Sequence, residues 1–159
     1  MAKETRAIYA GSFDPFTNGH LSVVEEASRL FDKVFVCIAN NPNKNRKTDV
    51  REMALAIGRV LGRKGLNNAQ VVITKGLVAE FCEINDIEYL VRGLRNTSDY
   101  MYEENIAKIN HEINPELKTI YFRAKNDVIS SSMVRELHSF GKDISQYLPP
   151  EVHEVFVKN

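Results

Sequence analysis

Apolar positions along this chain form two alternating patterns: short unbroken runs, and longer stretches in which apolar residues recur every three or four positions. The unbroken runs predict strands over residues 6–10, 34–39, 71–73, 89–91 and 119–122. The recurring stretches predict helices over residues 18–31, 49–61, 77–85, 99–113, 131–140 and 150–157. Because strands and helices alternate, the pattern predicts an α/β fold. This is a doubly wound, Rossmann-like, five-stranded parallel sheet with helices on both faces and further helices at the C-terminal end.

Length and composition narrow the class of protein. With 159 residues, a single domain over residues 1–159 is expected, and an apolar fraction of 43% is enough for a sizeable core. Since 21 basic and 21 acidic residues give a formal net charge of +0, bulk charge argues against non-specific nucleic-acid binding. No apolar run reaches transmembrane length and the charged start does not look like a signal peptide, so no membrane association is expected. Cys37 and Cys82 lie in separate apolar stretches, which favours buried reduced thiols and a cytoplasmic location.

Residues 11–20 (GSFDPFTNGH) join the first predicted strand to the first predicted helix, and open α/β sheets bind ligands at such strand ends. Gly11 allows a tight turn and a close approach of a ligand to the backbone. Asn18 is predicted as the helix N-cap, which places Gly19 and His20 in a first turn whose free amides and dipole attract phosphate. The Thr-x-Gly-His pattern is weak alone, since a lone histidine near a helix start is most often structural. Between a strand and a helix, it favours a phosphate site in which His20 donates a hydrogen bond.

The positions that follow the predicted strands lie at one edge of the sheet, and they are rich in cations and hydroxyls although the whole chain is neutral. The residues at this edge are Ser12, His20, Lys44, Gly76, Leu77, Val78, Arg92, Gly93, Arg95, Tyr102, Glu103, Ser130, Ser131 and Ser132. Such a local excess predicts a polyanionic small-molecule ligand.

Two segments at this edge could be an ordinary solvated turn and an ordinary helix N-cap, but their residues favour phosphate binding. Arg92 and Arg95 flank Gly93 directly after a strand, where short Arg-Gly turns are usually only solvated. Two guanidinium forks beside an accessible amide suit a phosphate, however. The three serines at residues 130–132 open a predicted helix, and an ordinary N-cap would need only one of them.

The polar loop over residues 40–47 adds three cations to the same edge, Lys44, Arg46 and Lys47. A charged loop of this kind is most often a solvated surface. At the predicted edge one of its cations could clamp a phosphate, and the residues alone leave open which one.

Four blocks of sequence occur in the order and approximate spacing of one family: residues 11–20, 92–95, 99–103 and 129–136. On these blocks the chain resembles the bacterial phosphopantetheine adenylyltransferases, nucleotidyltransferases that carry a (His/Thr)-x-Gly-His motif. The resemblance implies adenylyl transfer from ATP to 4′-phosphopantetheine, giving dephospho-coenzyme A and pyrophosphate in coenzyme A biosynthesis. It also implies Mg²⁺ as cofactor with ATP, coenzyme A as a possible feedback ligand, and a homohexamer.

The resemblance assigns roles position by position. It implies catalytic roles for His20, as transition-state stabiliser, and for Ser12 and Lys44. The implied acceptor site consists of Ser12, Lys44, Val78 and Arg92. The implied ATP site consists of Ser12, Phe13, His20, Gly93, Leu94, Arg95, Glu103, Asn126, Asp127, Val128, Ile129, Ser130, Ser131 and Ser132. No protein metal ligand is implied, and it is the resemblance that selects Lys44 from its loop.

The expected chemistry is direct in-line attack of the acceptor phosphate on the α-phosphorus, with no covalent enzyme intermediate. Because that phosphate is already an anion, catalysis reduces to alignment and neutralisation of charge. The sequence does not decide the protonation state of His20. Three other functions compete: a sister nucleotidyltransferase with another acceptor, a non-catalytic nucleotide-binding module, and an RNA-binding protein, which lacks support from charge or aromatic motifs.

Overall fold

The computed structural model describes residues 2–123 and 129–158. In this part of the chain five strands form one parallel sheet: β1 (Arg6–Gly11), β2 (Lys33–Ala39), β3 (Ala69–Thr74), β4 (Tyr89–Leu94) and β5 (Lys118–Arg123). The helices are α1 (Asn18–Leu30), α2 (Val50–Arg63), α3 (Val78–Ile84), α4 (Thr97–Ile113), α5 (Ser131–Ser139) and α6 (Pro150–Lys158). The predicted fold class is confirmed, and no helix of the described ranges is both long and apolar enough to cross a membrane.

The strand order is β3-β2-β1-β4-β5, and the burial of the strands agrees with their central or edge positions. β1 and β2 are buried almost throughout, as their unbroken apolar runs require of central parallel strands. β3 and β5, which are only partly buried, form the edges. The chain moves outward from β1 to β3 and then returns to place β4 on the other side of β1. This reversal creates the crevice at which doubly wound sheets bind ligands.

The side chains of successive residues in the central strands pack on opposite faces of the sheet, and each face has its own hydrophobic core. Tyr9 and Val36 pack with buried residues of α1, α2, α5 and α6, whereas Ile8 and Cys37 pack with those of α3. Helices therefore cover both faces, as predicted. Cys37 and Cys82 are both free and fully buried, also as predicted.

Two helix starts were predicted a few residues too late. Thr17, not Asn18, caps α1: its Oγ1 accepts a hydrogen bond from the His20 backbone N–H at 3.2 Å. α4 was predicted from residue 99, but Asn96 caps it, because Asn96 Oδ1 accepts from the Asp99 N–H at 2.9 Å. In both places two residues suited to capping lie close together; propensity does not separate Asn96 from Asp99, and it slightly favours Asn18 over Thr17, so the observed caps are set by the surrounding contacts.

Candidate active site

A cleft of about 290 Å³ lies at the crevice between β1 and β4. It is bounded by the β1–α1 turn, the end of β4, the first turns of α4 and the start of α5. The predicted site residues that line it are Ser12, Phe13, His20, Arg92, Gly93, Arg95, Glu103, Ile129, Ser130 and Ser131. Residues distant in sequence are thus brought together by the parallel sheet, as the edge argument requires.

Among the described residues, four members of the implied acceptor and ATP sites lie outside the lining of this cleft, as do Gly76, Leu77 and Tyr102 of the predicted edge. Lys44 is exposed in its loop, and Val78 begins α3 packed against the second core. Leu94 faces a shallow depression beside the start of α4, and the Ser132 hydroxyl hydrogen-bonds the Ser130 hydroxyl at 3.0 Å. The predicted ATP-site residues Asn126, Asp127 and Val128 lie outside the described residues.

The tautomer of His20 follows from the helix cap. The Thr17 backbone N–H donates to His20 Nδ1 at 2.9 Å. A backbone N–H can only donate, so Nδ1 is the acceptor and the proton of the neutral ring sits on Nε2. The cap that begins α1 therefore also orients the ring, and it leaves Nε2–H as a hydrogen-bond donor.

Aromatic packing and nearby cations keep this ring neutral. His20 packs edge-on against Phe13 with ring centroids 4.9 Å apart, and Phe16 lies 5.6 Å away. Burial, with the charges of Arg92 and Arg95, lowers the pKa of His20 to about 3. Desolvation and neighbouring cations both disfavour imidazolium. At neutral pH His20 is thus an uncharged donor on the cleft wall.

Gly11 makes this aromatic packing possible. A Cβ at Gly11 would lie 3.0 Å from the Phe13 ring, closer than two carbon atoms pack. Phe13 itself has a φ of 44°, an uncommon conformation for a side chain of this size. The glycine therefore allows the ring of Phe13 to lie against the end of β1, where it contacts His20.

Arg92 and Glu103, which also line the cleft, form a bidentate ion pair. Arg92 Nε and Nη2 each donate to a Glu103 oxygen at 2.8 Å, and Nη1 donates to the Ala10 carbonyl at 2.6 Å. Glu103 is only 6% exposed. Three of the guanidinium's five N–H groups are used by these described partners, and the other two remain for a ligand. Since Ala10 belongs to β1, the pair holds Arg92 in a defined position relative to the His20 turn.

A second arginine–carboxylate pair lies at the mouth of the cleft. Arg95 Nε and Nη2 donate to the Asp99 carboxylate at 2.9 and 3.2 Å, and the Arg95 backbone N–H donates to it as well. These hydrogen bonds lower the pKa of Asp99. Both cleft arginines are therefore charged and oriented.

Three side chains hold the carbonyls of the β1–α1 turn, and sequence reasoning gave none of them this role. Arg46 donates to the carbonyls of Ser12 and Phe13, Arg135 donates to Asp14 O at 2.7 Å, and Ser131 Oγ donates to Pro15 O at 2.8 Å. Arg135 was missed altogether, whereas Ser131 was predicted as a ligand residue and Arg46 was left open among the loop cations. No local pattern could have signalled these pairs, because they arise only from tertiary packing.

The sequence is similar to a family model and to curated relatives. Residues 8–137 match the cytidylyltransferase-like family. The phosphopantetheine adenylyltransferase of Limosilactobacillus reuteri (strain DSM 20016) is 39% identical over 154 residues, 96% of this chain and 88% of the relative. The phosphopantetheine adenylyltransferase of Streptococcus pneumoniae (strain Taiwan19F-14) is 41% identical over 150 residues, 92% and 91% of the two chains.

Solved structures establish the likeness of fold. A putative nicotinate-nucleotide adenylyltransferase from Vibrio parahaemolyticus superposes with a TM-score of 0.72 at 23% identity, covering 98% of this chain and 99% of the other. The nicotinic acid mononucleotide adenylyltransferase of Plasmodium falciparum, complexed with NaAD, gives 0.71 at 18% identity, covering 98% and 96%. At these identities the match shows the fold alone. The family is shown by the relatives at 39% and 41% sequence identity. The chain therefore belongs to the phosphopantetheine adenylyltransferases, nucleotidyltransferases of the cytidylyltransferase-like family.

Proposed function

We propose that this chain transfers the adenylyl group of ATP to 4′-phosphopantetheine, giving dephospho-coenzyme A and pyrophosphate. The observation that carries the proposal is the pairing of a neutral His20 Nε2–H donor with the fixed Arg92 guanidinium across one cleft. Family membership supplies the acceptor, since the relatives at 39% and 41% identity are phosphopantetheine adenylyltransferases.

The cleft suits direct transfer without a covalent intermediate. The phosphate of 4′-phosphopantetheine is an anion, and its oxygen attacks the α-phosphorus in line while the bond to pyrophosphate breaks. Arg92 orients that attacking phosphate with its two remaining N–H groups. The protein then has only to align the two phosphates and stabilise the charge that spreads over the transferring group.

Donors on the cleft wall stabilise that charge. His20 Nε2–H and the Ser12 hydroxyl donate to the α-phosphate oxygens. Arg95 and the serines at the start of α5 hold the pyrophosphate side, where the N-terminal amides of the helix favour anions. Because His20 stays neutral, it acts as a hydrogen-bond donor and gives up no proton during the transfer.

Magnesium is proposed as a companion of ATP. The two carboxylates of the cleft, Asp99 and Glu103, are hydrogen-bonded to arginines. Within residues 2–123 and 129–158, no cluster of three or more His, Cys, Asp or Glu side chains is placed to hold a metal. Mg²⁺ commonly binds through substrate phosphates and water, and on ATP it would neutralise charge on the departing pyrophosphate.

The assembly and setting are further proposals. Exposed apolar and aromatic side chains on α4 suit an interface between copies in a homohexamer; they are Tyr100, Met101, Tyr102 and Ile109. Light scattering should then give a mass six times that of the 18.1 kDa chain, and a monomer mass would contradict the hexamer. Product dephospho-coenzyme A and the related coenzyme A are proposed ligands of the same cleft. The buried free thiols of Cys37 and Cys82 suit a cytoplasmic enzyme.

An acceptor panel tests the proposed function. ATP and Mg²⁺ are incubated with the protein and either 4′-phosphopantetheine, nicotinic acid mononucleotide or a buffer blank, and the adenylylated product is identified by mass. We expect dephospho-coenzyme A and no product with the mononucleotide. A dinucleotide product in place of dephospho-coenzyme A would overturn the assignment.

Lys44 is predicted to act on the acceptor phosphate from its exposed loop. Lys44→Met keeps the stem and removes the charge, so we expect at least about a tenfold loss in kcat/KM for 4′-phosphopantetheine with ATP affinity nearly unchanged. Calorimetric titration of ATP and steady-state kinetics in the acceptor measure the two effects.

Lys47→Met is the matched control in the same loop. The Lys47 ammonium lies 4.7 Å from the centre of the Phe156 ring, directed toward α6. We expect turnover close to wild type and a slightly lower melting temperature. If Lys47→Met loses activity and Lys44→Met does not, the assignment of the loop is out of register.

A further inference from the structure

We propose that Arg46 is a positioning residue that clamps the catalytic β1–α1 turn and, through the same side chain, fixes the base of the Lys44 loop. The inference rests on the proposed function, since it concerns how that reaction's groups are held. Arg46 does not line the cleft and touches no proposed substrate position. It acts on Ser12 and Phe13 by donating hydrogen bonds to their backbone carbonyls.

The clamp consists of hydrogen bonds to three carbonyls. Arg46 Nη1 donates to the Ser12 carbonyl, Nη2 donates to Phe13 O at 3.3 Å, and Nε donates to Thr48 O at 3.0 Å. The side chain is only 12% exposed. A guanidinium this little exposed needs partners for its donors, and two carbonyls of the turn and the Thr48 carbonyl each accept one of its five N–H groups.

The bonds to Ser12 and Phe13 set the direction of the neighbouring amides. Across one trans peptide bond the C=O and N–H point in opposite directions. With the Ser12 carbonyl held on Arg46, the Phe13 N–H points away from Arg46. The clamp therefore determines how the turn presents its backbone and holds Phe13, whose ring contacts His20.

The same side chain anchors the loop. Residues 41–45 are all exposed, whereas Arg46 and the fully buried Thr48 are not. A second tie runs through Asp14, whose carboxylate accepts from the N–H groups of Lys47 at 2.8 Å and Thr48 at 3.1 Å. Lys44 is two residues from Arg46, so its Cα stays within about 7 Å of the clamped Cα. Anchoring Arg46 thus keeps the Lys44 ammonium near the turn while its loop remains exposed.

The chemistry of the clamp requires a planar fork, and charge alone does not suffice. One ammonium cannot bridge two carbonyls and a third acceptor in this geometry. Arg46→Ala and Arg46→Lys should therefore both lower kcat, by about 10–100-fold, while KM for ATP changes less than about threefold. Arg51→Ala, an exposed arginine on α2, is the control and should behave as wild type.

Chemical rescue separates positioning from a general structural role. Arg46→Ala removes a side chain of guanidinium shape, so millimolar ethylguanidinium should restore at least about fivefold of the lost kcat. It should have no such effect on Arg51→Ala or on Arg46→Lys, in which the space is filled. Rescue that appears equally in the Arg51 control, or is absent in Arg46→Ala, would overturn the proposal.

A double mutant tests the link to the loop. If Arg46 fixes the base of Lys44, adding Lys44→Met to Arg46→Ala should lower kcat/KM for 4′-phosphopantetheine by less than about threefold more, although Lys44→Met alone lowers it at least about tenfold. Losses that simply multiply would show that Arg46 does not act through Lys44 and would refute the coupling. These results are distinct from failure of the proposed function. In that case the wild type makes no dephospho-coenzyme A, whereas failure of this inference leaves wild-type activity intact and Arg46→Lys fully active.

Discussion

Replacing His20 with alanine should lower kcat by about a hundredfold or more, the usual effect of losing one preorganised donor to a developing charge. The cap hydrogen bond from Thr17 and the packing of Phe13 already hold the ring in place, so Nε2–H needs no reorganisation during the reaction. Ground-state binding should change much less, because the bond to the α-phosphate strengthens only as charge develops. Steady-state kinetics with calorimetric titration of each substrate would show the split. His153→Ala, on α6 and away from the cleft lining, is the control.

The pH profile is an independent check on the same residue. Burial and the nearby arginines lower the pKa of His20 to about 3 in the free protein, so the ring is neutral throughout the range in which an ordinary histidine titrates. The profile of kcat/KM, which reports free-enzyme groups, should therefore contain no limb that belongs to His20 near its ordinary pKa of about 6.5. A limb at that pH that disappears in His20→Ala would contradict a neutral donor. Turnover of His20→Ala within a few-fold of wild type would show that His20 is not the transition-state donor.

The second large effect should divide the two cleft arginines between the two substrates. Arg92→Ala should weaken 4′-phosphopantetheine binding by roughly 10–100-fold, and Arg95→Ala should weaken ATP binding by a similar factor, because charge-assisted hydrogen bonds to phosphate are lost. Each ligand is titrated separately by calorimetry. Equal losses for both ligands in both variants would refute this division.

Arg92 requires its own control because of its buried partner. Removing the guanidinium leaves the Glu103 carboxylate, only 6% exposed, without its ion pair. Breaking such a pair costs about 3–5 kcal/mol of the free energy of unfolding. The double variant Arg92→Met with Glu103→Gln should recover much of the stability lost in Arg92→Ala. Its affinity for the acceptor should nevertheless stay below that of Glu103→Gln alone, which keeps the guanidinium. Recovered affinity would show that Arg92 acts only on stability.

Much of the fold could be predicted from the sequence, because the features that decide it are local. Unbroken apolar runs predicted the strands β1 and β2, and the alternation of such runs with helices predicted a parallel sheet, but the strand order was not predicted. The helix caps were less accurate. Thr17 and Asn18 are both good caps, and the choice depended on which side chain could meet the His20 amide.

Part of the candidate site could also be predicted from the sequence, and part could not. The edge rule grouped Ser12, His20 and Arg92, since it needs only the positions of strand ends. It could not foresee the pairing of Arg92 with Glu103, eleven residues away, because that pair depends on how α4 packs over β4. The clamp from Arg46 to the Ser12 carbonyl crosses 34 positions and was equally beyond a local pattern. The tautomer of His20 likewise needed the position of one backbone N–H.

The central claim is that this cleft catalyses direct adenylyl transfer to a phosphate acceptor. Release of pyrophosphate from ATP, followed with and without 4′-phosphopantetheine under single-turnover and steady-state conditions, tests it most directly. We expect acceptor-dependent turnover and no pyrophosphate release when the acceptor is omitted. A stoichiometric burst of pyrophosphate without acceptor would reveal a covalent adenylyl-enzyme. ATP binding without turnover in the presence of 4′-phosphopantetheine would identify a non-catalytic binding module. Either result would contradict direct adenylyl transfer in this cleft.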